Sequence, residues 1–289
     1  MKSTQGAPDA TGIGLRLPHL AEVVATRPQT GFLEIHPENF LANPHAAELL
    51  VELSHHYSIS VHTVGISVGS AWGIDRRHLE RLRTLVDRIN PIFVSGHLAW
   101  STYGSDYLND LLPLPFNEEA LDVATRHVRE VQDFLGRPYL IENPASYVGL
   151  RSSTMTETEF LCELVNRTQC MLLCDVSNVY VSAHNMGFDA REYLNSLPAD
   201  AIAELHLGGY TPEEDPANPG GELLIDTHAA AIADPAWALF AYAIRHFGQK
   251  PTLIEWDNNI PAFAALVAEA ASADDIVSIA MEAHCAAAG

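Results

Sequence analysis

Short apolar runs alternate with longer amphipathic stretches along the chain, and the runs are rich in aliphatic and β-branched residues. Such runs, bounded by polar and turn-forming residues, are typical of buried strands. They predict eight strands, at 13–17, 32–36, 58–64, 91–98, 138–142, 170–176, 201–207 and 251–256. The stretches between them repeat their apolar residues with the period of a helix. Asp75, Asn117 and Thr156 each stand just before such a stretch and are predicted to cap a helix.

Eight strand and helix pairs in succession predict an α/β fold, a TIM (β/α)8 barrel, as a single domain over residues 1–289. The alternative is an open doubly wound sheet, which would place a glycine-rich turn after the first strand. That turn reads RLPHLAE, so the barrel is favoured. The stretch 209–222 (GYTPEEDPANPGGE) is a long irregular insert. Because it follows a strand, we expect it to lie at the catalytic face as a loop or lid.

Residues able to bind metal ions stand at the ends of most of these strands or shortly after them. They are His62, His97, Glu142, Asp175, Asn178, His206, Asp226, His228 and Glu255. Because the carboxyl ends of barrel strands face one mouth, these side chains are expected to converge. Imidazole and carboxylate ligands without a clear thiolate suit iron, manganese or zinc, and a carboxylate such as Glu142 can bridge two ions. The plainer interpretation of each residue alone is a hydrogen-bonded rim residue or a helix cap.

Other polar residues are weaker candidates. Glu34, His36, Glu38 and Asn39, on and after the second strand, are predicted to line the pocket and bind substrate, with structural hydrogen bonding across the mouth as the open alternative. Five histidines within helical patterns are expected at the surface: His55, His56, His78, His127 and His246.

The composition narrows the partners and the compartment. A formal net charge of -21 repels nucleic-acid phosphate, so no nucleic-acid partner is expected. No apolar run is long enough to span a membrane, and the first residues, MKSTQGAPDATG, lack the apolar segment of a signal peptide, so a cytoplasmic protein is expected. The four cysteines form no CxxC pair and are expected to be reduced, with Cys170 and Cys174 in the core.

Several long segments resemble a known family. They are SVHTVGISVGS, SGHLAWS, YLNDLLPLPFNEEAL, LIENPASY, DVSNVYVSAHNMGFD, ELHLGG, LIDTH and LIEWDNNIP. Together they resemble the multinuclear non-haem iron-dependent oxidative enzymes, of the methanobactin and 3-thiaglutamate biosynthesis type, over nearly the whole chain. The order of the metal-capable residues also resembles the trinuclear set of endonuclease IV and xylose-isomerase-like barrels.

The resemblance implies two or three iron ions held in three groups of residues. His62, His97 and a bridging Glu142 would hold the first ion. Glu142, Asp175, His206 and Glu255 would hold the second, with Glu142, Asp175 and His206 as the catalytic residues. Asn178, Asp226 and His228 would form the third position. Many relatives read NHGF where residues 185–188 of this chain read NMGF, so His184 is a candidate replacement ligand.

The resemblance also implies a reaction. The family modifies a cysteine of a ribosomally synthesised precursor peptide, with O2 as co-substrate and often with a partner protein that delivers the peptide. Known outcomes are excision of the β-carbon from a C-terminal cysteine, an oxazolone with a thioamide, or a thiooxazole. The hypothesis is that the substrate thiolate binds iron, and that hydrogen is then abstracted from the cysteine β-carbon.

Three other functions stay open on the residues alone. A metal-dependent hydrolase or phosphodiesterase of the endonuclease IV type would use the same ligands to activate water. A sugar isomerase of this barrel class often needs a lysine near the metals, but Lys2 and Lys250 are the only lysines, and neither ends a strand. A metal-storing or peptide-carrying subunit without turnover is the third.

Overall fold

The computed structural model describes residue 8, residues 10–104 and residues 106–288, with side chains up to residue 282. The strands, in chain order, are β1 Gly12–Gly14, β2 Leu33–Ile35, β3 Ile59–Thr63, β4 Phe93–His97, β5 Trp100–Tyr103, β6 Asp106–Leu112, β7 Leu140–Glu142, β8 Met171–Asp175, β9 Ile202–Gly208, β10 Thr211–Glu214, β11 Glu222–Ile225 and β12 Thr252–Glu255. The α-helices are α1 Leu17–Thr26, α2 Pro37–Leu41, α3 Pro44–Leu53, α4 Arg76–Ile89, α5 Glu118–Leu135, α6 Glu157–Thr168, α7 Val176–Met186, α8 Ala190–Ser196, α9 Asp234–Phe247 and α10 Phe263–Ala288.

Eight strands close a parallel barrel in the order β1-β12-β9-β8-β7-β4-β3-β2. This confirms the TIM-barrel prediction, and each barrel strand overlaps one of the apolar runs. The first is displaced, because helix α1 already begins at Leu17, where the run was expected to continue. The predicted caps are also confirmed: Asp75, Asn117 and Thr156 accept hydrogen bonds from backbone N–H groups in the first turns of α4, α5 and α6.

Two hairpins lie outside the barrel. Strands β5 and β6 pair antiparallel directly after β4, and β10 and β11 pair antiparallel after β9. The second hairpin corrects the expectation of an irregular insert at 209–222, because its two ends are paired from Thr211 to Glu214 and from Glu222 to Ile225. Both hairpins follow the carboxyl end of a barrel strand, and therefore lie at the mouth.

Burial corrects two of the histidine predictions. His127 is buried, and its Nδ1 donates to the carbonyl of Val68 at 2.9 Å, because its helix turns this position toward the barrel. His78 is half-buried, and its Nε2 lies 3.0 Å from Glu38 Oε1. The surface positions of His55, His56 and His246 are confirmed.

The cysteines agree with the sequence as far as they are described. Cys170 and Cys174 are free and buried, as expected, and Cys162 is free and half-buried. The side chain of Cys285 lies outside the described residues. Within the described part of the chain, no helix has the length and apolar character needed to cross a membrane.

Candidate metal centre

The first group of donors lies across strands β3, β4 and β7. The parallel register sets His97 beside Glu142, and His62 beside Ser95. Glu142 Oε2 is 3.0 Å from His62 Nε2 and 3.2 Å from His97 Nε2. The two imidazole Nε2 atoms are 3.0 Å apart. Ligand atoms at right angles on one ion, each about 2.1 Å from it, are about 3.0 Å apart, so this triangle has the spacing of ligands on a common ion.

The second group shares Glu142 with the first. Glu142, Asp175, His206 and Glu255 are buried, and each offers a ligand atom within 4.8 Å of the others. Strand register pairs Asp175 with His206, and His206 Nδ1 lies 3.3 Å from Glu255 Oε2. Each group therefore brings together the residues that the family resemblance assigned to it.

The residues of the third group line one cavity, and His228 lies close to Asp226 and Asp175. His228 Nε2 lies 2.8 Å from Asp226 Oδ1 and 3.9 Å from Asp175 Oδ2. Gly208 lets His228 approach, since a Cβ at this position would stand 2.3 Å from the imidazole. Asn178 is buried, and its Oδ1 has no hydrogen-bond partner.

A cavity of about 190 Å³ opens over these groups. It is lined by His36, His62, Val64, His97, Leu111, Glu142, Pro144, Asn178, Asp226, Thr227, His228, Glu255, Asp257 and Asn258. The strand ends thus form a concave, mainly polar site at the mouth of the barrel.

Buried polar atoms that make no hydrogen bond of good geometry are concentrated here, although several lie close to one another. They include Glu142 Oε2, Asp175 Oδ2, Asn178 Oδ1, His206 Nδ1 and Nε2, Asp226 Oδ1 and His228 Nε2. Such atoms are rare in folded proteins because leaving them unsatisfied is costly. Bound cations would satisfy them, and the nitrogen and oxygen donors suit iron, manganese or zinc. The residues present therefore fit a multinuclear metal centre.

Protonation of the metal-free cluster follows from burial and from close charges. Burial disfavours a charged His62, but the adjacent Glu142 carboxylate outweighs this and raises the His62 pKa to about 9. Burial lowers the pKa of His97 to about 4. Burial raises the pKa of Asp175 to about 8, and repulsion from Glu142 adds to the effect. Ions entering the site would therefore displace protons.

One face of the site is held by an arginine that sequence reasoning missed. Arg16 is buried between β1 and α1. Its guanidinium donates to Asp257 through Nε, and its Nη2 lies 3.3 Å from Glu255 Oε1 and 3.2 Å from His36 Nε2. A charged residue within the first apolar run, 13–17, was the available signal, but its partners are remote in sequence.

A second missed residue lies beneath His206. Glu204 is buried, and its Oε1 lies 3.8 Å from His206 Nε2. Glu34 Oε2 is 3.4 Å from the same nitrogen, and it accepts a hydrogen bond from Ser60 Oγ at 2.9 Å. His206 therefore faces Glu255 with one ring nitrogen and two carboxylates with the other. The alternation in AELHL, which sets Glu204 and His206 on one face, was a signal for this contact.

Three of the four residues predicted to bind substrate do not line the cavity. His36 lines it. Glu34 is buried below the centre. Glu38 accepts hydrogen bonds from His78 and from the backbone N–H of Gly65, and Asn39 is exposed. The expected substrate role is therefore unsupported for Glu34, Glu38 and Asn39, since structural contacts or position hold them away.

His184 is also outside the cluster. Its Nε2 lies 3.2 Å from the carbonyl of Glu222, and it does not line the cavity. The neighbouring Asn185 bonds to both backbone groups of Leu224, at 2.9 Å each, and so ties α7 to the β10–β11 hairpin. The helix thereby directs His184 toward the hairpin and away from the metal-capable residues.

The fold and the position of the centre define the class. Solved structures show the same xylose-isomerase-like TIM barrel. An L-ribulose 3-epimerase superposes with a TM-score of 0.62 at 14% identity, covering 97% of this chain and 98% of its own. A xylose isomerase-like TIM barrel protein from Mycobacterium smegmatis, in complex with magnesium, superposes with a TM-score of 0.60 at 14% identity, covering 98% of this chain and 100% of its own. At this identity the likeness shows the fold alone.

Sequence comparison gives the family. The model of the RiPP precursor modification enzymes MbnB/TglH/ChrH, which modify precursors of ribosomally synthesised and post-translationally modified peptides, matches residues 10–278. A UPF0276 protein of Vibrio parahaemolyticus is 49% identical over 269 residues, covering 92% of each chain. One from Paraburkholderia phytofirmans is 43% identical over 278 residues, covering 95% of this chain and 89% of its own. The chain belongs to the MbnB/TglH/ChrH family, which confirms the resemblance recognised in its motifs.

Proposed function

We propose that the protein is an iron- and O2-dependent oxidative enzyme that modifies a cysteine of a precursor peptide. The observation that supports this most is the set of buried nitrogen and oxygen ligand atoms that converge at the mouth of the barrel without forming hydrogen bonds of good geometry. Membership of a precursor-modifying family supplies the peptide. The reaction either excises the β-carbon of a C-terminal cysteine or forms an oxazolone with a thioamide, or a thiooxazole.

The proposed roles follow from the contacts. His62, His97 and Glu142 would hold one ion, and Glu142, Asp175, His206 and Glu255 a second. Asn178, Asp226 and His228 would complete a third position. Bound iron would supply one-electron chemistry and keep a coordinated cysteine thiol deprotonated.

The remaining lining residues would position the substrate. The cavity of about 190 Å³ is large enough to admit a small side chain such as that of cysteine. Asp257 accepts from Arg16 and contacts His228 Nδ1 at 3.2 Å, so it fixes the orientation of that imidazole. Arg16 likewise fixes the orientation of the Glu255 carboxylate. We propose that Glu142, Asp175 and His206 are the catalytic residues, with Glu142 at the cavity surface and Asp175 and His206 buried behind it as metal ligands.

The test begins with metal content. The protein is purified without oxygen, reconstituted with Fe(II), and analysed by elemental mass spectrometry. We expect two or three iron ions per chain, and loss of at least one in His97→Ala. His55→Ala is the matched control, because His55 is exposed and far from the donors. Equal iron content in the two variants would contradict the assignment of His97.

The reaction is tested with the short cysteine-containing peptides encoded beside the gene, together with any protein encoded with them. We expect a change in peptide mass that requires both iron and O2. An unchanged mass with iron, O2 and partner all present would refute an oxidative role. Hydrolysis without O2 would favour the hydrolase alternative.

A further inference from the structure

A second concave surface lies beside the metal cavity. We call it the side groove; its volume is about 380 Å³. It is lined by Pro113, Leu114, Phe116, Ser146, Val148, Gly149, Leu150, Ser153, Thr156, Glu157, Thr158, Met186, Phe188, Asp189, Glu192, Tyr193 and Ser196. These residues come from the end of the β5–β6 hairpin, the loop after β7, and the chain around the starts of α6 and α8.

The loop after β7 lines both the side groove and the metal cavity. Pro144 lines the cavity, and Ser146 and Val148 line the groove. Between them, the Tyr147 hydroxyl accepts a hydrogen bond from the backbone N–H of Asp226 at 3.0 Å, which fastens the loop to the cavity rim. Four residues of chain span at most about 14 Å, so an occupant of the groove lies within about four extended residues of the cavity.

Exposed apolar side chains concentrate on this side of the protein. Among the described residues, the large exposed hydrophobic side chains at the mouth are Trp72, Tyr103, Tyr107, Leu108, Leu111, Tyr147, Val148, Met186 and Phe188. Only Leu17 and Ile279 of the same described set lie elsewhere, on α1 and α10. Of these, Val148, Met186 and Phe188 line the side groove, whereas Trp72 and Tyr103 line a separate pocket. Exposed apolar side chains grouped beside a reactive site indicate a binding surface.

Carboxylates stand at one edge of the groove. Tyr193 is only 8% exposed and its hydroxyl hydrogen-bonds to Glu157, so this pair forms part of the floor. Asp189 and Glu192 lie at the edge, and Asp189 also caps α8. No basic residue is among the described residues that line the groove, so its chemistry combines an apolar wall with an acidic edge.

We propose that the side groove binds an extended segment of the precursor peptide, with a large apolar side chain next to a basic residue, within about four residues of the modified cysteine. This rests on the proposed function, because the family acts on peptides and the groove opens beside the centre. A concave groove accommodates single side chains of an extended chain. The apolar residue contacts Val148, Met186 and Phe188, and the basic residue is directed to the carboxylates.

Direct binding tests the proposal independently of catalysis. Fluorescein-labelled synthetic peptides place Leu-Lys, Leu-Glu or Ser-Ser three residues before a single cysteine, and their affinity for the iron-loaded protein is measured anaerobically by fluorescence anisotropy. We expect the Leu-Lys peptide to bind at least tenfold more tightly than either other peptide. Equal affinities for the three peptides would overturn the proposal.

Variants locate the binding. Val148→Asn should weaken binding of the Leu-Lys peptide about tenfold with unchanged iron content. Ile279→Asn is the matched control, since Ile279 is an exposed apolar residue on α10, and it should bind like the parent. An unchanged affinity in Val148→Asn, or an equal loss in the control, would count against the groove.

A photo-crosslinking amino acid in place of Val148 separates the occupants. Crosslinking to the peptide within five residues of its cysteine is expected. Crosslinking to a co-expressed partner protein and not to the peptide would overturn the proposal. Peptide that binds and crosslinks without being oxidised would contradict the proposed function alone, whereas oxidation with an unaltered KM in Val148→Asn would contradict the groove alone.

Discussion

Glu204 offers the sharpest test of how the centre is built. Replacing it by Gln removes one of two carboxylates that face His206 Nε2, and keeps the shape of the side chain. Burial, with repulsion from Glu34, raises the pKa of Glu204 from 4.5 to about 7 in the metal-free protein. Ionised Glu204 therefore destabilises the folded, metal-free protein, and the substitution should remove this destabilisation.

The size of the stability change and the pH range over which it occurs follow from this pKa shift. The folded protein keeps the Glu204 proton up to about pH 7, whereas the unfolded chain loses it near pH 4.5. Stability should therefore fall as pH rises between these values, by about 3 kcal/mol in total. At pH 8 the metal-free Glu204→Gln protein should be more stable than the parent by up to that amount, which corresponds to a rise in Tm of about 5 °C. At pH 4.5 the difference should nearly vanish.

The opposite effect is expected once metal is bound. A carboxylate behind a ligating histidine orients the ring and increases its basicity, and its loss typically weakens metal binding about 10- to 100-fold. Glu204→Gln should thus stabilise the metal-free fold and weaken the second group of donors.

Thermal unfolding of chelator-treated protein from pH 4.5 to 8.5, followed by competitive metal titration, measures both effects. Glu80→Gln is the control, because Glu80 is exposed on α4. A Tm at pH 8 that is equal in Glu204→Gln and the parent would refute the argument from burial. Unchanged metal affinity would refute the argument from orientation.

Three further predictions concern protons, the second hairpin and a helix cap. The pKa is about 9 for His62 and about 8 for Asp175, so both are protonated at pH 7 without metal. Because a bound ion must displace both protons, competitive titration should show that metal affinity rises up to about 100-fold per pH unit between pH 6 and 8. Asn185→Ala removes two hydrogen bonds to Leu224, and the amide of Leu224 should exchange hydrogen about tenfold faster, measured by mass spectrometry. Asp75→Ala removes the cap of α4 and should cost about 1 kcal/mol, seen as a Tm lower by about 2 °C.

Controls and contrary results differ for each. Affinity that is constant between pH 6.5 and 7.5 would show that the metal-free donors hold no protons there. Asn195→Ala, on the exposed side of α8, should leave exchange in the hairpin unchanged, and equal rates in Asn185→Ala and the parent would mean that the hairpin is held by other contacts. A loss in Glu80→Ala as large as in Asp75→Ala would show that the cap contributes no more than an ordinary helix position.

The fold was predictable because the local periodicity of hydrophobic residues specifies its strands and helices. Each barrel strand is an apolar run, and the capped helices follow residues with capping side chains. The β5–β6 hairpin was missed, because β6 is exposed along most of its length and its apolar residues do not alternate regularly with polar ones. His127 was wrongly predicted to be exposed because it is a polar residue on an amphipathic helix. It is buried because its Nδ1 donates a hydrogen bond to the carbonyl of Val68, which is remote in sequence.

Within the site, the sequence determined which donors can meet, because residues at the carboxyl ends of barrel strands share one mouth. Only the tertiary structure decided which contacts form. Arg16 and Asp257 are 241 residues apart and touch because β1 closes the barrel against β12. His184 and His228 both lie beyond strand ends in sequence, yet Gly208 admits His228 over the centre and the hairpin draws His184 away. Periodicity places a side chain on a face of its element, whereas closure, register and close approach select its neighbours.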